Sequence, residues 1–327
     1  MGELACGATP RPTGMLVDQK DSRGVSGSPL ALDVGRPVYS GYRLGGARAV
    51  TGDGLPGAGR AASGERRVAT SNADLDDYTG AEEYDRENGT SGPDLDYYLD
   101  LARATGGPGL DLACGTGFLT IPFAEAGLAM TGVDRAPEML ELARRKTGGL
   151  PIRWVEADLL ALDLGERFRL VTLTGNAFQE FLTLDDQERL LGAARRHLAP
   201  DGLFAFETRF PRPTALFSAD TPPGEWSEET PWRQFDDEQG RVVTVSTAQR
   251  NDLLRQTIDY VILRRWREGG RDEVRSESTT LRFVYPREME ALLRYNGFAI
   301  RDAYGDWDRS PLSNASPRMI YVCEVRG

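Results

Sequence analysis

The run Leu110-Asp111-Leu112-Ala113-Cys114-Gly115-Thr116-Gly117 constrains this chain more than any other stretch. Leu110–Ala113, apolar but for Asp111, reads as a short strand. It delivers the backbone to a turn of small residues, where glycine supplies torsional freedom and lets another group approach the main chain closely. A helix predicted over Phe118–Ala126 follows, so the turn lies at a helix N-terminus with its amides facing outward. Strand, glycine turn and helix form a unit of a parallel sheet, and the remaining chain must supply the neighbouring strands.

It does so by regular alternation. Strands are predicted at Ala129–Val133, Ile152–Glu156, Phe168–Thr174 and, after a Pro200-Asp201-Gly202 turn, Leu203–Thr208. Helices are predicted at Pro137–Lys146 and Leu184–Leu198, the second opening on Asp185 and Asp186, where carboxylates favour a helix start. Past Pro211 the pattern changes to three or four longer strands between about Trp232 and Tyr285, β-branched and aromatic, with no helix between them. A helix over Pro286–Tyr295, stopped by Asn296-Gly297, and strands at Phe298–Tyr304 and Arg318–Val325 complete the pattern. The expected organisation is an N-terminal extension over residues 1–70, an α/β body over 71–210 and 286–327, and an antiparallel insertion over 211–285. The insertion is expected to serve as a substrate lid or, through its open strand edges, as a homodimer contact.

The 1–70 extension has neither the period nor the apolar content of a packed element, so it reads as disordered. Two alternatives stand beside that: a binding arm using Arg36, Arg43, Arg48 and Arg60, or a true start downstream, for instance at Met15. The net charge of −11 opposes long contacts with a phosphate backbone, so a neutral or cationic small molecule is the expected partner and nucleic acid is not. Three scattered cysteines and the single His197 offer no metal-ligand spacing. No apolar run approaches the roughly 18 residues of a membrane span, and no signal-peptide segment is apparent. A reduced, cytoplasmic chain is expected.

Asp134 lies 23 positions beyond Asp111, near the roughly 20-residue interval of an acid that accepts ribose hydroxyls. It reads either as that acid or as the cap of the helix beginning at Pro137. This strand, turn and acid resemble motif I of the class I S-adenosylmethionine (SAM)-dependent methyltransferases, a likeness running from about Tyr84 to the C-terminus. The resemblance implies a Rossmann-like seven-stranded sheet with helices on both faces, closed by a reversed hairpin and carrying the antiparallel insertion. It implies SAM as cofactor, with Asp111 at the methionine end, and Ala113, Gly115 and Gly117 along its path. Asp134 would lie at the ribose and Asp158 at the adenine, with Arg135, Met139 and Leu159 also on the cofactor. The loop Gly175-Asn176-Ala177-Phe178-Gln179 would border cofactor and acceptor, with Asn176 on the cofactor and Phe178 on the acceptor. A looser likeness to small-molecule and amino-sugar N-methyltransferases favours nitrogen over oxygen as acceptor.

Methyl transfer from a sulfonium depends mainly on alignment, but an amine acceptor must also lose a proton. Glu180 is the candidate base, with Gln179 orienting it; the alternative is an ordinary surface acid. Tyr84, placed before the first helix, which Pro93 and Asp94 start, reads as a lid over the transfer site, which the resemblance implies, or as a staple for that helix. Trp307, in the loop Tyr304–Pro311, is a candidate for the acceptor pocket. His197 and the run Arg144-Arg145-Lys146 read as cations complementing helix C-termini. The competing functions are a catalytically silent SAM-binding protein, an NAD-dependent oxidoreductase, weakened by the missing third glycine after Gly117, and an RNA methyltransferase.

Overall fold

The computed structural model describes residues 80–88, 91–216, 221–237 and 239–327. The segment 1–70, expected to be disordered, lies outside the described residues. In chain order the elements begin with α1 (Ala81–Asn88), α2 (Pro93–Thr105), β1 (Gly109–Leu112), α3 (Thr120–Glu125), β2 (Met130–Asp134) and α4 (Pro137–Lys146). They continue with β3 (Arg153–Glu156), β4 (Phe168–Leu173), α5 (Leu184–His197), β5 (Leu198–Arg209) and α6 (Pro213–Leu216). Last come β6 (Thr230–Asp236), β7 (Val242–Asp252), β8 (Thr257–Glu268), β9 (Arg271–Arg282), α7 (Pro286–Tyr295), β10 (Phe298–Tyr304) and β11 (Arg318–Val325).

Seven strands form one sheet in the order β10-β11-β5-β4-β1-β2-β3. β1 to β5 run parallel, and β11 pairs antiparallel with both β5 and β10. Every residue of β1 and β2 is buried, as expected of strands covered on both faces. Alternation along β5 shows the two layers. Leu203 and Ala205 pack with Tyr98 and Leu101 of α2 and Phe123 of α3, whereas Phe204 and Phe206 pack with Leu190 of α5 and Leu293 of α7. The chain crosses from β3 at one edge back past β1 to β4. Open α/β sheets place their ligand sites at such a reversal, here beyond the C-terminal ends of β1 and β4.

The second sheet is the four-stranded antiparallel meander β6-β7-β8-β9. β8 and β9 are joined by Gly269-Gly270, both at positive φ (55° and 82°), the torsions of a two-residue type I′ hairpin turn. β9 begins at Arg271, well before the β-branched pair Thr279-Thr280. Its first half is charged and exposed; hairpin register orders it, not apolar patterning. β5 likewise runs continuously through Pro200-Asp201-Gly202, where a turn was expected.

His197 is fully buried rather than a cation at a helix end. Leu164 N donates to its Nε2 at 2.8 Å, and its Nδ1 lies 2.8 Å from Ala193 O. An acceptor role for Nε2 and a donor role for Nδ1 define a neutral imidazole.

Candidate functional site: the ends of β1, β2, β4 and β5

The glycine turn closes on itself and on β2. Cys114 N donates to Val133 O at 3.0 Å, Gly115 N to the Asp134 carboxylate at 2.8 Å, and Gly117 N to Cys114 O at 2.9 Å. Ala113 (φ 53°), Gly115 (φ 53°) and Gly117 (φ 88°) all take left-handed backbone. The two glycines serve different ends. A Cβ on Gly115 would face open space, with only Tyr84 Oη at 4.0 Å. A Cβ on Gly117 would lie 2.9 Å from the Trp154 ring and 3.0 Å from Ile121. The missing side chain of Gly117 makes room for Trp154, as does that of Gly132. A Gly115→Ala variant, which adds only that Cβ, should therefore keep its fold, at roughly the 1–2 kcal/mol cost of a left-handed non-glycine residue. Gly117→Leu should lose a large part of its thermal stability, which melting curves of the two variants would compare.

Two carboxylates are buried beside this turn. Asp111 accepts the hydroxyls of Thr120 (2.6 Å) and Thr172 (2.8 Å). Asp134 accepts the amides of Gly115, Ala136 (2.9 Å) and Arg135. Burial pushes both acids up to about 6, against the opposing effect of these donors, and the neighbouring Asp134 raises Asp111 further. Asp134 thus supports the start of α4, whose cap residue is Ala136. A carboxylate has about four acceptor sites, so Asp134 retains capacity for another donor. An open glycine face beside two desolvated carboxylates suits a ligand that carries hydroxyl donors and positive charge. SAM, a ribonucleoside with a sulfonium and an ammonium group, fits that description.

Beyond β3, Asp158 is exposed, and its Oδ1 accepts Leu160 N at 2.9 Å. Leu159 is fully buried among core residues, and Met139 is buried with Ala81 and Leu142. Arg135 is partly exposed at the head of α4. After β4, Asn176 is left-handed (φ 55°) and begins the short 3-10 turn Ala177–Glu180. Phe178, assigned above to the acceptor, is wholly buried and packs on Phe206 at 5.4 Å between ring centroids; its ring belongs to the core. Gln179 and Glu180 are 2% and 3% exposed, so Glu180 is not a surface acid. Gln179 Nε2 donates to Arg282 O of β9 at 3.3 Å, and Arg282 reaches Leu182 O at 3.2 Å. These bonds tie the antiparallel sheet to the loop after β4.

Tyr84 lies within a helix, α1, rather than ahead of the first one. It packs against the cluster of Ala81, Met139 and Leu142 and against that of Val243, Val245 and Ile262 in the second sheet. The acidic residues of α1 fix it over the glycine turn. Asp85 pairs with Lys146 at 2.7 Å and accepts the Thr116 hydroxyl; Glu82 pairs with Arg145; Glu83 pairs with Arg275 and, at 3.5 Å, with Arg264. Arg145 and Lys146 therefore do more than complement the end of α4. Trp307 lies 5.6 Å from Tyr97 and 5.7 Å from Tyr98, centroid to centroid, with the Arg318 guanidinium 4.7 Å over its ring.

Glu207, near the end of β5, escaped the sequence reading. It is 4% exposed, accepts the Tyr98 hydroxyl and the Asn176 amide (3.1 Å), and burial pushes it up to about 7. The available signal was an acid at the end of the apolar run Leu203–Phe206. The structure thus brings together Ala113, Gly115, Asp134 and Tyr84, and links Asn176 through Glu207 and Tyr98 to Trp307. Asp158 lies at the end of the neighbouring β3. Among the described residues no group of three or more His, Cys, Asp or Glu is placed to hold a metal, and no helix is long and apolar enough to cross a membrane.

Residues 110–202 match the model of a family described as a methyltransferase domain. The chain is similar to the cypemycin N-terminal methyltransferase of a Streptomyces species, 36% identical over 95 residues, which are 28% of this chain and 38% of that protein. It is also similar to the dTDP-4-amino-2,3,4,6-tetradeoxy-D-glucose N,N-dimethyltransferase of Saccharopolyspora spinosa, 34% identical over 98 residues, 30% of this chain and 39% of that protein. The matched stretch spans about two-fifths of the length of these curated relatives. Among solved structures, the CcbJ methyltransferase from Streptomyces caelestis shares the fold with a TM-score of 0.65 at 24% identity, covering 76% of this chain and 96% of that one. Residues 110–202, set in the seven-stranded Rossmann-like sheet, are a class I SAM-dependent methyltransferase domain.

Proposed function

We propose that this protein transfers a methyl group from SAM to a small-molecule acceptor, with an amine nitrogen favoured over oxygen. The observation that carries the proposal is the pairing of the open Gly115 face with Asp134, a buried carboxylate held by three amides and still able to accept. Asp134 would take the ribose, Asp111 would place negative charge toward the methionine end, and Asp158 with Met139 and Leu159 would border the adenine. Arg135, Ala113 and Asn176 would line the remaining path. When bound, SAM supplies an electrophilic methyl group on a sulfonium. The chain's own contribution is to orient the acceptor and to exclude water, chiefly through α1 and Tyr84, with Trp307 at the rim. Glu180, buried with Gln179 at the end of the post-β4 turn, would take the proton that an amine must lose.

The preference for nitrogen rests on the two curated relatives above, whose names specify N-terminal and N,N-dimethyl transfer. An amino sugar is the acceptor class that the second of them brings to mind for this chain. SAM should raise the melting temperature, and NAD should not, because binding to the folded state alone stabilises it. Labelled SAM incubated with a panel of amines, amino sugars and hydroxyl compounds should then give a labelled amine. A melting temperature indifferent to SAM, or label appearing only on bulk tRNA, would remove the proposal. SAM binding with no transfer to any panel member would favour a silent SAM-binding protein.

A further inference from the structure

We propose that Glu207 is a positioning residue of the transfer site, fixing the Gly175–Asn176 segment after β4 while Tyr98 fixes the carboxylate; this rests on the methyltransferase reading above. A carboxyl group in a buried strand end costs free energy unless its partners compensate. The neighbours of Glu207 along its own face of β5 are Leu203 and Ala205, and its partner across β11 is Ile320, so packing supplies no reason for an acid. Its hydrogen bonds do. One oxygen accepts the Asn176 amide at 3.1 Å, with the Gly175 amide also directed at the carboxyl. The other accepts the hydroxyl of Tyr98, which is 1% exposed on α2.

The segment so held carries strain. Asn176 is a non-glycine residue at φ 55°, ψ 23°, starting a short 3-10 turn with no side-chain cap. Such a conformation persists only where its surroundings enforce it. Two amides received by one carboxylate provide that enforcement, at the sheet edge where Ala113 and Gly115 take the same left-handed backbone. The groups facing Glu207 from α2 are Tyr98 and Asp94, with Tyr97 next to Tyr98 at 5.2 Å; Asp94 adds negative charge. The carboxyl is therefore held by donors to its oxygens.

The test uses the full chain, with S-adenosylhomocysteine as the probe in calorimetry and the Asn176 amide resonance as a local reporter. Glu207→Ala removes the acceptor, so probe affinity should fall by at least about tenfold, the equivalent of about 1.4 kcal/mol, and the Asn176 resonance should move upfield. Glu207→Gln keeps one acceptor oxygen for Asn176 and an amide group able to donate to Tyr98, and should restore both readouts to near wild type. Wild-type affinity with an unmoved Asn176 resonance in Glu207→Ala would overturn the proposal, as would a Glu207→Gln as impaired as the alanine variant. Should Glu207→Ala not fold, Tyr98→Phe decides: a smaller affinity loss with a shifted Asn176 resonance supports the proposal, and no change in either overturns it. Failure of the wild-type chain to bind both SAM and the probe would instead overturn the methyltransferase reading itself, and the positioning role with it.

Discussion

The Asp134→Ala variant is expected to lose SAM affinity by about 10²-fold, read by calorimetry. Two changes act together. The lost carboxylate removes a charged hydrogen bond to the cofactor, worth about 1.5–3 kcal/mol, or about 10- to 150-fold. It also frees the amides of Gly115, Arg135 and Ala136, so the turn keeps only the Cys114–Val133 bond to β2 and its open face loses its shape. Asp134→Asn should not rescue binding. Both carboxylate oxygens accept backbone N–H groups, and a side-chain amide would turn its own N–H groups toward one of them. Affinity unchanged in Asp134→Ala would remove the cofactor assignment at this turn.

Asp111→Asn should behave in the opposite way toward stability. Asp111 accepts the hydroxyls of Thr120 and Thr172 and the Thr120 amide; an asparagine with its oxygen toward Thr120 and its amide group toward the rotatable Thr172 hydroxyl keeps these hydrogen bonds, while a buried charge disappears. Burial raises the folded Asp111 from 3.8 to about 6. An acid raised in this way contributes stability that is fully present below pH 3.8 and lost as pH rises through about 6, because the folded state then holds the proton more tightly than the unfolded one. The shift corresponds to about 3 kcal/mol at neutral pH. The ligand-free wild type should therefore melt several degrees higher at pH 5 than at pH 7, with Asp134 and Glu207, also raised by burial, acting in the same direction. Asp111→Asn should raise the pH 7 melting temperature and flatten this dependence, while weakening SAM binding. A lower melting temperature in Asp111→Asn would show that the fold requires the ionised group.

Apolar periodicity made the parallel sheet legible, because it follows from which residues a strand or helix must bury. The helices Pro137–Lys146 and Pro286–Tyr295 and the strands Phe298–Tyr304 and Arg318–Val325 lie where the sequence places them. Less was legible where pairing, not burial, orders the chain, as in the charged half of β9. The site divided in the same way. The glycine turn and Asp134 announce themselves within one strand–turn–helix unit. Glu207 does not, because its partner Tyr98 lies 109 positions away. The ion pair of Glu83 with Arg275, 192 positions apart, was equally hidden.

The glycine turn shows most directly what each level decides. By itself the sequence determined that residues 113–117 form a small-residue turn between a strand and a helix, with an acid one strand away. Torsional freedom and periodicity are local, so a local pattern suffices to specify them. Only the tertiary structure decided that Gly115 faces open space under Tyr84 while the place of a Gly117 side chain is filled by Trp154. It also decided that Phe178 is core, that Glu180 is buried, and that Asp111 and Asp134 are desolvated. Solvent exposure, charge environment and side-chain partners are set by residues brought together across the fold, and no spacing within one segment encodes them.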